Sequence, residues 1–314
     1  MIALLSRRVF LGRSVAALGA AAAPGARRLL AADAPAASPF RYGLNTGTLR
    51  GLKLPLPGLV DLAAKAGYQS IEPWIDEVRK VADAGEGAVK DLAARIRDGG
   101  LSVENAIGFA SWIVDDDAKR AQGLEAAKRD MDLVARIGGK GLAASAAGAS
   151  GPILVPRIAE RYRALLDAGQ ALGVRAHLEF WGASKTLGRL ETVLEVLAAA
   201  DHPFATVLPD VFHMYKGGSD FAAVKKLTPK ILVVFHLNDY PADPPRETIS
   251  DGQRVYPGDG IAPLDRFFKD LRDTGVRGVV SLELFNQSYL KQGAEAVAKT
   301  GIEKMRAAVQ KALG

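Results

Sequence analysis

The sequence contains no cysteine. Disulfides, thiolate metal sites and cysteine nucleophiles are therefore excluded, and any metal must be held by imidazole, carboxylate or backbone oxygen. Histidine is scarce as well: His177, His202, His213 and His236 are the only four in 314 residues. No Gly-x-Gly-x-x-Gly follows the first expected strand, and the glycine pairs Gly138-Gly139 and Gly217-Gly218 have the spacing of turns, not of a phosphate loop. A basic stripe is missing too. The formal charge is +6, but residues 1–34 hold Arg7, Arg8, Arg13, Arg27 and Arg28 against Asp33 alone; subtracting that +4 leaves +2 for the remainder. A nucleic-acid partner is not expected.

A membrane span is not expected either. The apolar run from Val15 to Ala23 is broken off by Pro24 and Arg27, whereas a spanning helix needs roughly 20 apolar residues. The same stretch, preceded by Ser6-Arg7-Arg8-Val9-Phe10-Leu11 and closed by Ala32-Asp33-Ala34, resembles a twin-arginine export signal with a small-x-small cleavage site. Residues 1–34 are read as that signal, with a second possible cleavage near Ala23. Residues 35–314 are read as one periplasmic domain that keeps no membrane span after cleavage. The route matters for metal choice, because a site of oxygen and imidazole ligands cannot by itself reject Cu²⁺ or Zn²⁺. Folding before export would let the cell choose the ion.

Hydrophobic residues make up 48 % of the chain, enough for a large core. From Phe40 onward, short apolar runs alternate with longer amphipathic stretches, the signature of parallel βαβ units. Strands are expected near 42–45, 70–73, 102–105, 141–145, 175–180, 205–209, 231–238 and 278–284. Helices are expected over 58–66, 88–97, 118–137, 152–172, 187–200, 220–227, 263–274 and 292–313, the first four ending at glycines suited to a left-handed cap. Eight such units predict an α/β fold of the (β/α)₈ TIM-barrel type. An open doubly wound sheet is the runner-up, disfavoured by the missing dinucleotide fingerprint.

In such a barrel, polar residues at the C-terminal ends of strands are the functional candidates. The last four strands end in His177-Leu178-Glu179, Pro209-Asp210-Val211-Phe212-His213, His236-Leu237-Asn238-Asp239 and Leu282-Glu283. A lone carboxylate is costly to bury there, and three converging carboxylates repel one another unless a cation sits between them. The economical reading is one divalent ion bound by three carboxylates and one imidazole from these strand ends. The oxygen-rich set suits Mn²⁺ first, with Mg²⁺, Co²⁺ or Zn²⁺ as alternatives.

The order Glu, Asp-x-x-His, His-x-x-Asp, Glu on strands five to eight resembles the xylose-isomerase-like barrel superfamily, which includes sugar isomerases, ketose 3-epimerases and inosose dehydratase. The resemblance implies Glu179, Asp210, His236 and Glu283 as the four metal ligands. It also implies that His213 contacts substrate, that Arg246 binds a sugar hydroxyl, and that Pro257-Gly258-Asp259-Gly260-Ile261 forms the turn before the seventh helix. Lys185 departs from the pattern, standing where epimerases often carry a further acid.

Glu72 and Glu104 end the second and third expected strands and are candidate substrate contacts. Trp74, Trp112 and Trp181 fall just beyond strand ends, where they suit either the apolar face of a sugar or loop packing. His177 fits either a residue orienting a ligand or a core histidine, His202 reads as a surface turn, and Asp115-Asp116-Asp117 is expected to cap the third helix. Glu179 and Glu283, on well-separated strands, can move protons on opposite faces of a substrate carbon beside a carbonyl. The expected function is thus a metal-dependent isomerase or epimerase of a keto-sugar acting through an enediolate. The alternative is a lyase or dehydratase on a keto-sugar, keto-inositol or 3-keto-glycoside. A metal-cluster endonuclease would want more histidines and a basic face; a non-catalytic sugar-binding barrel would not need all four ligands. A small-molecule sugar and a homo-oligomer complete the expected partners.

Overall fold

A computed structural model describes residues 38–314; the expected export signal and both cleavage points lie outside them. Among the described residues the strands are β1 (Arg41–Asn45), β2 (Ser70–Glu72), β3 (Gly141–Ala144), β4 (Arg175–Glu179), β5 (Thr206–Leu208), β6 (Val234–Leu237) and β7 (Val279–Leu282). All pair in parallel, in the orders β2-β1-β7-β6 and β3-β4-β5. Single bridges join the two sheets: Val207 to Leu232 and Asp210 to His236 on one side, Ser70 to Ser102 and Ala106 to Leu142 on the other. The ring therefore closes through the segment 101–107, which takes the place of the third expected strand.

That segment does not form a continuous ladder, and two side chains explain why. The Glu104 carbonyl accepts from His177 Nε2 at 3.3 Å instead of from a neighbouring strand. Its carboxylate turns to Arg41 Nη2 (2.7 Å) and Lys140 Nζ (3.2 Å), both at the N-terminal ends of strands. Glu104 thus sits at the floor of the barrel, opposite the rim, and the expectation that it meets substrate is corrected.

The helices are α1 (Leu56–Ala66), α2 (Ile75–Ala82), α3 (Glu86–Asp98), α4 (Asp117–Arg136), α5 (Val155–Leu172), α6 (Leu190–Ala200), α7 (Val211–Gly217), α8 (Leu264–Asp273), α9 (Gln287–Leu290) and α10 (Ala294–Leu313). The expected helix over 220–227 is a 3₁₀ turn, Phe221–Lys226. The short α2 and α7, absent from the sequence-based reading, follow β2 and β5 directly. Asp116 caps α4 by accepting from the Lys119 amide, as expected of the aspartate run. Among the described residues no helix is long and apolar enough to cross a membrane.

Most of the apolar core lies between strands and helices. A second, small cluster of Ile107, Ala143, Leu208, Val234 and Val279 fills the barrel itself. Alternate residues of a strand share a face, so the residues two beyond these on β6 and β7, His236 and Ser281, form the next layer up, followed by Asn238 and Glu283. The layering also explains Gly141. A Cβ there would lie 2.1 Å from His177 Nε2, so glycine makes room for that ring. His177, with Nδ1 at 2.8 Å from Thr206 Oγ1, is a satisfied core histidine. Burial, with Arg175 nearby, drives its pKa down to about 4.

Candidate metal centre

The inward face of four consecutive strands delivers Glu179, Asp210, His236 and Glu283 to one place at the C-terminal rim. One ligand atom from each of Asp210, His236 and Glu283 lies within 4.8 Å of the others. From His236 Nδ1 the distances are 3.3 Å to Glu283 Oε2, 3.7 Å to Asp210 Oδ2 and 3.9 Å to Glu179 Oε1. Glu179 falls outside the 4.8 Å set, so it is the looser of the four. All are buried. Asp210 is held by its own helix: Oδ1 accepts from the His213 amide (2.8 Å) as the N-cap of α7, and Oδ2, which also takes Asn238 Nδ2 at 2.9 Å, is turned to the cluster.

Glu72 occupies a different place from the one expected. It is 2 % exposed and lies beneath the cluster, not against the rim cavity. Its Oε1 accepts from Asn105 Nδ2 (2.7 Å) and faces His236 Nε2 (3.0 Å). Its Oε2 accepts from Asn45 Nδ2 (2.9 Å) and Ser281 Oγ (2.7 Å). The substrate-binding expectation for Glu72 is corrected: with its carboxylate on Nε2, it directs His236 Nδ1 at the three carboxylates, as outer partners of metal-ligating histidines do. The physical reason lies in its partners: Asn45, opposite it in register, Asn105 and Ser281 draw the carboxylate under His236.

Arg246 is likewise misplaced by the sequence reading. Its side chain is half-exposed, 3.5 Å from Glu247, and does not line the rim cavity. The arginine at the cluster is Arg254, whose side chain is fully buried. Its Nη1 donates to Asp210 Oδ2 and Glu283 Oε2 at 2.9 Å each, and its Nη2 lies 3.2 Å from His213 Nε2. The guanidinium also pairs with Asp251 and packs near the rings of Phe212 and Phe285, 4.7 and 5.0 Å from their centroids. Sequence reasoning missed it because it lies in a connection 18 positions beyond His236, outside any strand. The Pro257–Ile261 turn that follows is tied down by Asp239, which accepts from the amides of Gly258, Gly260 and Ala262 at 2.9–3.1 Å.

These contacts push the two glutamates in opposite directions. Burial, reinforced by the Glu283 and Asp210 carboxylates, lifts Glu179 to about 8 against the pull of His236. Glu283 is as deeply buried, but His236 and Arg254 outweigh that and hold it down to about 2. Burial alone would lower His236; the Glu283 and Glu72 carboxylates reverse it and hold it well above the ordinary imidazole value.

Above the cluster is a cavity of 460 Å³, lined by Glu179, Glu283, His213, Arg254, Trp181 and a set of aromatic side chains. Of the expected substrate contacts, His213 and Trp181 line it. Trp112 does not; its indole donates to the Ser145 carbonyl inside the wall. Lys185 is exposed, and His202 sits in a turn beside Asp167.

The donor set fits a divalent cation. Buried polar atoms are ordinarily satisfied, yet Glu179 Oε2 and His236 Nδ1 are buried with no hydrogen-bond partner, both within the cluster. Three carboxylates and one imidazole match a hard or borderline ion.

Comparison with known proteins establishes the family and the fold. The model of the family described as xylose isomerase-like TIM barrel matches residues 60–308. Inosose isomerase of Bacillus velezensis is 32 % identical over 154 residues, 49 % of this chain and 55 % of that protein. The chain thus spans about half the length of these curated relatives. 3-Dehydroshikimate dehydratase of Pseudomonas aeruginosa is 24 % identical over 258 residues, 80 % of this chain and 39 % of that protein. Among solved structures, the IolI protein with a bound zinc atom superimposes with a TM-score of 0.78 at 24 % identity, covering 87 % of this chain and 99 % of that one. L-Ribulose 3-epimerase gives a TM-score of 0.67 at 20 % identity, covering 87 % and 95 %. At such identities the structural likeness establishes the fold.

Proposed function

The chain belongs to the xylose isomerase-like TIM barrel family, and on that premise we propose that it is a divalent-metal-dependent isomerase or epimerase of a keto-sugar. The observation that carries this reading is the pair Glu179 and Glu283. Two carboxylates line one cavity, from strands three places apart in the barrel ring. Placed on opposite sides of a substrate carbon, one can remove a proton and the other return one.

Glu283, kept ionised by His236 and Arg254, takes the proton from the carbon beside the carbonyl. Glu179 returns one to the opposite face through Oε2, the oxygen without a partner. Arg254 and His213 hold the oxygen on which negative charge develops, giving an enediolate that is reprotonated. Asp210 and His236 position the ion, the latter through Glu72. A divalent ion in this set supplies Lewis acidity toward the carbonyl oxygen. Mn²⁺ is the proposed ion, with Mg²⁺, Co²⁺ and Zn²⁺ as competitors; the zinc in the IolI structure makes zinc a necessary arm of any test.

A lyase is the second reading, favoured by the match to 3-dehydroshikimate dehydratase, which covers more of this chain than the isomerase matches do. There the enediolate expels a leaving group on the neighbouring carbon. Incubating metal-loaded protein with ketoses and 3-keto-glycosides in D₂O separates the two. Deuterium beside the carbonyl without fragmentation supports the isomerase, fragmentation supports the lyase, and no exchange with any candidate refutes both. Export by the twin-arginine route is also proposed, on the pattern of residues 1–34. Periplasmic fractionation of the native chain and of Arg7→Lys/Arg8→Lys tests it; equal export of both refutes that route.

A further inference from the structure

The cavity over the candidate ligands does not stand alone. A second one, also of 460 Å³, opens beside it between the start of α2 and α4, and the two share Trp74 and Phe109. Each lies within the roughly 300–1,000 Å³ that small-molecule pockets occupy. Phe109 forms the ridge between them and is 43 % exposed, an unusual state for a large apolar side chain in this molecule. Its ring centroid lies 5.0 Å from that of Trp74 and 6.2 Å from that of Trp181, and Phe285 continues the row 6.2 Å beyond Trp74. Trp74 is locked, with its indole N–H on Asn45 Oδ1 (3.0 Å) and the Arg50 guanidinium 4.2 Å from its ring centre. Trp181, Phe109, Trp74 and Phe285 thus form an aromatic row along the rim cavity, and its middle pair, Phe109 and Trp74, also borders the side cavity.

The side cavity sets charged groups in a largely apolar lining: Lys119 stands at its exposed edge, while Arg50 and Arg79 are matched. Arg50 forms a two-pronged pair with Asp76 (2.9 and 3.0 Å), and Arg79 another with the buried Asp130. Fixed pairs of this kind present donors and acceptors together, leaving Lys119 as the one lining cation without an ion pair among the described residues. Ser111 and Gln122 add neutral groups. That combination, an aromatic flank with paired donors and acceptors, is suited to a neutral polyhydroxylated ring.

We propose that the substrate is a two-ring glycoside: the keto ring lies over Glu179, Asp210, His236 and Glu283, and a second, neutral sugar ring crosses Phe109 into the side cavity. This rests on the keto-sugar reading of the rim site and names its substrate class. A one-ring substrate would leave the side cavity unused.

The test is equilibrium binding to the Mn²⁺-loaded protein, using cellobiose and methyl β-glucoside as non-reacting two-ring and one-ring probes. Cellobiose is expected to bind about tenfold or more tightly than methyl β-glucoside. Gln122→Trp, which fills the side cavity from the exposed face of α4, and Phe109→Ala, which removes the ridge, should each bring that ratio to about one. Equal affinities in the parent protein, no measurable binding of cellobiose, or an unchanged ratio in both variants overturns the proposal. The D₂O exchange assay keeps the two readings apart. Exchange into one-ring ketoses with no preference for two-ring probes leaves the rim chemistry standing and removes this inference. A preference lost in both variants, without exchange into any keto-sugar, shows that two rings are bound but overturns the keto-sugar chemistry, and with it the substrate class named here.

Discussion

Glu72→Gln is isosteric, yet the structure predicts a large effect. Four donors converge on this carboxylate: Asn45 Nδ2, Asn105 Nδ2, Ser281 Oγ and His236 Nε2, at 2.7–3.0 Å. An amide offers one acceptor oxygen and one donor nitrogen, so two of the four must face an N–H₂ group. Ser281 can turn its hydroxyl to accept. The two asparagines cannot both be accommodated, and Asn45 cannot flip, because its Oδ1 already accepts from the Gly47 amide and the Trp74 indole. With the amide oxygen kept on His236 and Asn105, Asn45 Nδ2 keeps its bond to Glu283 Oε1 (3.0 Å), but its other N–H is buried against the new N–H₂ group without an acceptor. One orphaned donor plus a lost charge-assisted bond amounts to about 2–4 kcal/mol, a large part of a typical 5–15 kcal/mol stability. Chemical denaturation of EDTA-treated protein should read that loss. The variant should also bind Mn²⁺ or Zn²⁺ about 10–100-fold more weakly by calorimetry, because His236 loses the partner that aims it. A variant within 0.5 kcal/mol of the parent (about the scatter of a neutral surface change), or with metal affinity changed less than about twofold, would refute the role given to Glu72.

Glu179 should make EDTA-treated protein sensitive to alkali. Its folded pKa, about 8, is raised above the ordinary 4.5, so its contribution is full below 4.5 and is lost as pH rises through about 8; one such proton gives a slope of at most about 1.4 kcal/mol per pH unit. His236, also raised, adds a loss in the same direction above 6.5. Glu179→Gln should flatten the profile and leave the EDTA-treated protein as stable as the parent or more so; a steeper decline would show that Glu179 is ionised and well paired. Because ligands bind metal deprotonated and both Glu179 and His236 hold their protons more tightly than usual, metal affinity should rise at least about tenfold per pH unit between about pH 6 and 8, and a flat calorimetric profile over that range would contradict the shift assigned to Glu179. Arg254→Lys keeps the charge but loses the fork shared by Asp210 and Glu283, so kcat/KM should fall about 100-fold on whatever keto-sugar the exchange assay identifies; activity within twofold of the parent (about 0.4 kcal/mol) would deny it that role. Glu283→Gln should lower turnover by about 10³-fold or more, and full activity would exclude Glu283 as the base.

The βαβ rhythm and the ends of the late strands were legible because both are local. Alternating apolar runs set strand and helix, and the period of two along a strand places Glu179 above His177 and Glu283 above Ser281 without any knowledge of neighbours. Helix ends followed from Gly67, Gly173 and the Asp116 cap for the same reason. Height around the barrel was not legible, because it depends on the partners that neighbouring strands bring within reach. Asn45, Asn105 and Ser281 draw Glu72 beneath the cluster as the partner of His236, and Arg41 and Lys140 hold Glu104 at the floor. Nor does residue order identify an arginine reaching in from a connection: Arg246 and Arg254 are equivalent in sequence terms, and only the folded chain carries Arg254 between Phe212 and Phe285 to Asp210 and Glu283. The sequence by itself determined the barrel and which carboxylates and imidazole meet at its rim. The tertiary structure alone decided which polar groups face substrate and which orient a ligand from below, because that difference is one of partners and burial, to which spacing along the chain is blind.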